Sequence, residues 1–354
     1  MKIAEKMEEF PSVGHMPQKR FSTSQEPLLE LPDLIEPHRD SFRWLVETGL
    51  KDIFTEFSPI SDYSEKKFEL VIKKYELGKP KCTPAFAKAN KLTYDAPLRA
   101  QVVLKNKTFE GEKEQEMFMA DIPVMTDQGT FIINGVERVV VPQLARSYGI
   151  FFTSAESKGK TTFGAKIIPA RGAWVEIESE ADGVIYVKID RKKKFPISSL
   201  LRVMGIEKDK EMIKLFADIE RGEEYMKATI QKDPAKTVDD SFIEIYKRLR
   251  DGDLATIDSA KEFVRSIFSP ERYDLSEIGR HHFNQRFDRP IDKKATNERT
   301  VSIEDMRLIL SNIMMMNHDP QALPDDIDHL GFRRVRYFGE MIQQRVRVGM
   351  TRMK

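Results

Sequence analysis

Between positions 42 and 57 the apolar residues Phe42, Leu45, Val46, Leu50, Ile53, Phe54 and Phe57 recur at spacings of three and four. That period predicts an amphipathic helix, with Pro37 suited to its first turn and Ser58-Pro59 stopping it. Residues 68–75 read as a strand broken by Gly78-Lys79-Pro80, and 83–91 as a short helix. A strand at 99–105 is expected to pair with one at 116–125 across a charged loop, 106–115. From 116 to 152 the pattern is strand, tight turn, short strand, second tight turn and long strand. Asp127-Gln128-Gly129 and Asn134-Gly135 are the turn signals, since Asn-Gly supplies the positive φ angles of a two-residue hairpin. Residues 131–133 and 139–141 are apolar on consecutive positions, which predicts a sheet covered on both faces. Arg138, Gln143 and Arg146 stand on or beside that base as polar groups.

Beyond 152 the period changes again. Residues 154–162 are polar and read as a loop. Trp174-Val175-Glu176-Ile177-Glu178 alternates as a strand, Asp182-Gly183 turns it, and 184–189 returns it. The run Arg191-Lys192-Lys193-Lys194 follows, and it suits a solvated turn, phosphates or an acidic partner equally. Helical spacing comes next at 195–205, 207–219 and 240–249. Ser259 and Glu262 form a capping box opening a helix to Phe268, and Ser302 caps another that runs through Met316. The Met314-Met315-Met316 run reads as core filler. Residues 153–320 are thus expected to be mostly helical, with one hairpin near the start.

Composition narrows the function classes. A chain of 354 residues suits about two domains. Lys and Arg number 58 against 57 Asp and Glu, so a nucleic-acid footprint has to be local. Such a footprint exists at the end: from Gly331 onward there are seven cations (Arg333, Arg334, Arg336, Arg345, Arg347, Arg352 and Lys354) against one acid, Glu340. The lone Cys82 excludes an internal disulfide and fits a reducing cytosol. No apolar run reaches a membrane span and no signal peptide opens the chain, which reads as cytoplasmic with no membrane partner. Gly159-Lys160-Thr161 imitates the tail of a phosphate-binding loop, but Ser154 stands where the first glycine belongs, so a nucleotide-hydrolysing reading is rejected. His281-His282 has no second pair at ligand spacing, and no zinc pattern emerges.

Several stretches then carry a resemblance. MTDQGTFIINGVERVVVPQLARSYGIFF, at 125–152, resembles the signature near the N-terminus of the β subunit of bacterial DNA-directed RNA polymerase. LPDLIEPHRDSFRWLVETGLKDIFTEFSPISDY and LTYDAPLRAQVVL before it, and RGAWVEIE, VKIDRKKKFPISSLLRVMG, KDPAKT, RYDLSEIGR and DIDHLG-RRVR after it, resemble the same subunit in the same order. The likeness covers nearly all of 28–354, is weakest at 1–26 and 207–230, and concerns the N-terminal third of that subunit. Residues 1–26 are polar, rich in Met, Lys and Glu and without periodicity, and are expected to be a flexible arm. The likeness implies an α+β fold: a discontinuous mixed sheet-and-helix protrusion domain at 27–145 plus 321–354, and an inserted, mostly helical lobe domain at 146–320. The helical pattern at 338–346 meets no stop signal before Lys354, which suits a piece of a longer chain.

The resemblance also implies a job. Such a segment walls the DNA channel of a nucleotidyltransferase, with DNA, the β′, α, ω and σ subunits and transcription factors as partners. Catalysis there uses Mg2+ held mainly by another subunit, so no catalytic centre, cofactor or metal site is expected in this stretch. Arg146, Trp174, Asp328 and Arg333 match the family's pocket for a non-template guanine, and Arg336 belongs to the same basic cluster. Trp stacks on bases, Asp accepts from guanine N1 and N2, and Arg clamps a base or phosphate. The plainer alternatives are a core-facing strand residue for Trp174 and a structural salt bridge for Asp328 with Arg333. Val141 and Gln143 match the edge of the family's rifamycin pocket, whose main cluster this chain lacks. Where the family usually carries Asn in the DIDHLG loop, this chain has Phe332. The competing reading is a stand-alone protein-docking module that uses the protrusion's sheet edge.

Overall fold

The computed structural model describes residues 32–62, 67–107, 111–157, 159–250, 256–292 and 296–353; the expected arm at 1–26 lies outside them. The chain divides into two compact units, 1–142 with 337–354, and 143–336.

In the first unit the apolar stripe at 42–57 folds as helix Glu36–Trp44, a π-helical turn at Leu45–Gly49 and helix Leu50–Phe57. Leu45, Leu50, Ile53, Phe54 and Phe57 are buried against Leu98, Phe131, Phe338 and Met350. The last two come from helix Phe338–Met353, so the chain returns to complete this core. Two contacts fix that return. Gln343 Nε2 donates to the Gly49 carbonyl at 3.1 Å, satisfying a group at the end of the π turn. The Gly339 amide donates to Ser41 Oγ at 2.9 Å, and a Cβ at Gly339 would lie 2.3 Å from the Ser41 carbonyl oxygen, a contact only glycine allows.

An antiparallel sheet of β1 (Ile60–Ser61), β2 (Phe68–Leu77), β3 (Asp95–Asn106) and β4 (Gly111–Pro123) lies in that order. The charged stretch read as a loop is therefore mostly strand, paired from Asn106↔Gly111 onward. Its charges lie across the ladder, as in Lys105–Glu112 at 3.8 Å. The Asn134-Gly135 turn has φ of 52° and 77° and joins β5 (Phe131–Ile133) to β6 (Val136–Arg138), as its sequence predicts. Phe131 and Ile132 are buried, but pairing stops at Arg138. Val139 and Val141, expected under cover, are 57% and 73% exposed. The expected long strand is thus broken.

The second unit begins with β7 (Gln143–Arg146), followed by β8 (Gly149–Ser157), β9 (Lys160–Ile168), β10 (Val175–Ser179), β11 (Ile185–Ile189) and β12 (Phe195–Pro196). The last five form one antiparallel sheet in the order β12-β11-β10-β9-β8. The polar stretch 154–162 is not an open loop: β8 and β9 pair as far as Ser157↔Lys160, with polar Ser and Thr positions in the ladder. The single hairpin expected near the start is corrected to a five-stranded sheet, while the rest of the unit is mostly helical, as expected. Its helices are Ile197–Met204, Asp209–Lys214, Gly222–Lys232, Val238–Leu249, Ile257–Ile267, Ser276–Arg286 and Ile303–His318. Phe152, Ile177, Val187, Phe195, Phe242 and Ile309 belong to the shared core.

Two helix boundaries also move. The helix expected at 207–219 is confined to Asp209–Lys214. Thr256, not Ser259, caps the next one, its side chain accepting from the Ser259 amide. Ser302 caps Ile303–His318 in a capping box with Asp305, as read.

The final strand, β13 (Arg333–Arg336), pairs with β7, and this decides where residues 321–336 belong. The Asp325 carboxylate accepts from the Phe152 amide at 2.7 Å and from Arg286 Nη1 at 2.6 Å. The Ser147 amide donates to the Phe332 carbonyl at 2.9 Å. The segment expected to return to the first domain at 321 is held in the second unit until 336.

Candidate functional site

The β7–β13 ribbon gathers most of the candidate residues. Its register sets Arg333 opposite Arg146, Arg334 opposite Ala145, Val335 opposite Leu144, and Arg336 opposite Gln143. Opposed residues of an antiparallel pair project from the same face, so Arg146 and Arg333 stand side by side with Leu144 and Val335. Like charges in that position repel. Asp328 relieves one of them, its Oδ1 accepting from Arg333 Nη2 at 2.7 Å. Arg146 is exposed and forms no ion pair or side-chain hydrogen bond among the described residues.

On the other face Arg336 Nη2 donates to Gln143 Oε1 at 2.8 Å. The Arg334 guanidinium lies 4.2 Å from the Tyr148 ring centroid and donates to its hydroxyl. Asp328 is placed by the loop before β13: its amide donates to Asp326 Oδ1 at 3.0 Å. His329 Nδ1 accepts from the Gly331 amide at 3.0 Å, and one 3-10 turn, Leu330–Phe332, leads into the strand. The residues of this segment are thus fixed by local polar contacts that the sequence DDIDHLGF itself supplies.

Trp174 is carried by a different element. It immediately precedes β10, is half-buried, and its carbonyl accepts from the Asp190 amide at 2.8 Å. The Arg191 guanidinium sits 5.5 Å from its ring centroid. Asp190 and Arg191 both hold positive φ, 52° and 59°, a strained arrangement for side chains of this size. Arg191 was legible only as one member of a cationic run; its pairing with Trp174 depends on the turn. Lys194, from the same run, is tied to Glu180 and lies 4.6 Å from the Tyr186 centroid. Of the two rifamycin-edge candidates, Gln143 is on β7 and bonded to Arg336, whereas Val141 belongs to the first unit and faces solvent.

The family model for RNA polymerase Rpb2, domain 2, matches residues 146–336. The chain belongs to the RNA polymerase β-subunit (Rpb2) family. It is 39% identical over 357 residues to the DNA-directed RNA polymerase subunit beta of Chloroflexus aggregans, covering 92% of this chain and 29% of that relative. With the DNA-directed RNA polymerase subunit beta of Syntrophomonas wolfei it shares 37% identity over 343 residues, covering 96% of this chain and 30% of the relative. The chain therefore spans under a third of the length of these relatives. The Rpb2 domain 2 match begins inside β7, at Arg146, and ends with β13, at Arg336, so it takes in Trp174, Asp328 and Arg333 as well.

Proposed function

We propose that this chain forms part of the DNA channel of a DNA-directed RNA polymerase β subunit, with the β7–β13 ribbon meeting the phosphate backbone. The observation that carries the reading is the pair of exposed Arg146 and half-buried Arg333, set directly opposite each other with one carboxylate, Asp328, bonded to Arg333. Cations in such a ribbon position phosphates without reading sequence. Trp174 is the stacking platform for an unpaired base, and Asp328 the acceptor for guanine; Arg336 supports the ribbon through Gln143. In this reading the first unit is the protrusion and the second the lobe. DNA and the β′, α, ω and σ subunits are the partners, in the cytoplasm. Nucleotidyl transfer itself takes place in the assembled enzyme, whose Mg2+ another subunit holds. Among the described residues here no group of three or more His, Cys, Asp or Glu fits a metal, and no step of this reading runs through one.

The test is fluorescence anisotropy of a labelled forked duplex between 50 and 200 mM salt, comparing the chain with its Arg146→Ala/Arg333→Ala variant. Two lost phosphate contacts should flatten the slope of log affinity against log salt by about 1.8. A slope that does not change, or no binding by the parent chain at high micromolar concentration, rejects the reading.

A second reading has its own observation. β4 is the edge of its sheet, and Phe118 on it is 60% exposed, which suits a transcription factor adding a strand there. Backbone hydrogen bonds of that kind respond little to salt, which separates the two surfaces.

A further inference from the structure

Next to the arginine ribbon, the second unit holds a cavity of about 250 Å³ that neither reading above uses. Ser147, Tyr148, Ile150 and Phe151 line one side, His282, Gln285 and Arg286 the other, and Phe332 closes it. Its construction follows from two glycines. Gly149 has φ +131° and lies against Gly279, where a Cβ would meet Tyr148 Cβ at 3.0 Å. Helix Ser276–Arg286 can therefore approach the start of β8 closely, and positions 282, 285 and 286 share the face turned toward it.

The wall is preorganised. Phe332 packs edge-on against Phe151, centroids 5.7 Å apart, and against His329 at 6.0 Å. Tyr148 is backed by the Arg334 guanidinium at 4.2 Å.

Charge inside the cavity is balanced. Arg286 is committed to Asp325 at 2.6 Å and lies 4.7 Å from the Phe152 centroid. Burial, with His281 beside it, lowers the pKa of His282, so its imidazole is neutral near pH 7. An anion finds no uncompensated cation here, and a cation finds no uncompensated carboxylate. What remains is aromatic surface with a few polar groups: the neutral imidazole, the Ser147 hydroxyl, and the Gln285 amide, which has no partner among the described residues. Small-ligand sites combine these features, and the volume lies just below the ~300 Å³ at which drug-sized pockets begin.

We propose that this cavity binds a neutral, planar heteroaromatic small molecule of one or two fused rings, stacked between Phe332 and Tyr148 and hydrogen-bonded by His282 and Gln285. Nothing in this depends on whether the ribbon meets DNA. The probe is 5-fluoroindole, followed by fluorine NMR on the 354-residue chain. Saturable broadening with a dissociation constant on the order of 1 mM is expected for so small a ligand. Phe332→Ala, checked for an unchanged thermal transition, should weaken it at least tenfold, and Gln285→Leu, at the rim and outside the core, severalfold. Arg265→Ala, on another helix, should leave it unchanged. Indole-3-carboxylate should bind more weakly than the neutral ring. Non-saturable broadening, an affinity indifferent to both Phe332→Ala and Gln285→Leu, or tighter binding of the carboxylate would overturn the assignment.

Discussion

Removing the carboxylate of Asp328 should move DNA affinity in opposite directions on two substrates, and the expected sizes follow from the geometry. Asp328 Oδ1 lies 2.7 Å from Arg333 Nη2, and its side chain is 84% exposed against 34% for the arginine. An ion pair this exposed contributes no more than about 1 kcal/mol, so Asp328→Ala should leave the fold intact. On a plain duplex the substitution removes a negative charge near the phosphates. At about 7 Å in water that repulsion is roughly 0.6 kcal/mol, and salt near 0.1 M about halves it. Binding should therefore tighten roughly twofold to threefold at low salt. Arg333, once released, can displace a counterion of its own, which steepens the salt slope by about 0.9. Over a fourfold rise in salt that adds roughly 3.5-fold to the loss of affinity. On a fork with one unpaired guanine the same variant loses the acceptor for N1 and N2, at about 1–3 kcal/mol, and should bind more weakly. Anisotropy titrations of the two DNAs, each at 50 and 200 mM salt, read both effects. Equal weakening on both would refute the reasoning, since Asp328 would then serve only to hold its loop. No change on either would remove the ribbon from the interface.

Two further outcomes test the packing. Asp233 is fully buried and accepts from Arg202 Nη1 at 2.8 Å and from both Ser198 and Ser199, while Arg202 Nη2 also donates to Asp209 at 2.7 Å; Asp233→Ala therefore removes one of two carboxylates from a buried guanidinium, and the second unit should lose about 1–3 kcal/mol in urea unfolding. Gly339→Ala places a methyl 2.3 Å from the Ser41 carbonyl oxygen and should cost about 1–3 kcal/mol, seen as earlier melting of the first unit, with the second unit's transition unmoved.

How much of this was legible in the sequence depended on how local the cause was. The Asn134-Gly135 hairpin, the Ser302 cap and the helix from Phe338 were readable because each is set by a few adjacent residues. The misreadings came where tertiary pairing overrode a local signal. The charged stretch 106–115 looked like a loop, yet its ends extend β3 and β4, with Glu112 paired to Lys105 on β3 and Glu114 to Lys73 on β2. Val139 and Val141 looked like a covered strand, but hydrophobicity alone does not say what lies above a residue, and pairing ends before them. Among the candidates, Arg146, Gln143, Asp328, Arg333 and Arg336 were nameable from motifs. That four of them meet on a single ribbon, with Asp328 bonded to Arg333, was not, because β7 and β13 come from opposite ends of the second unit. The seating of Arg191 on Trp174 depends on two left-handed residues that no turn signal announced.

The ribbon itself argues that its charge has a use. Two arginines opposed at a separation of about 5 Å repel by about 0.8 kcal/mol even in water, and a purely structural ribbon could place any neutral residue at either position. The chain keeps both and spends one carboxylate, leaving Arg146 open to solvent. The contacts that hold the ribbon against this repulsion lie behind it: the Ser147 amide on the Phe332 carbonyl, Asp325 bridging β8 and Arg286, and Arg334 folded onto Tyr148. Their strength does not depend on which residues face outward. A fold that over-determines a backbone in order to present an unfavourable charge pair has the signature of a binding surface rather than a packing element. If so, Arg146→Gln, which keeps a polar side chain but removes the charge and its repulsion, should raise stability slightly while lowering DNA affinity, a trade-off that no purely structural role would produce.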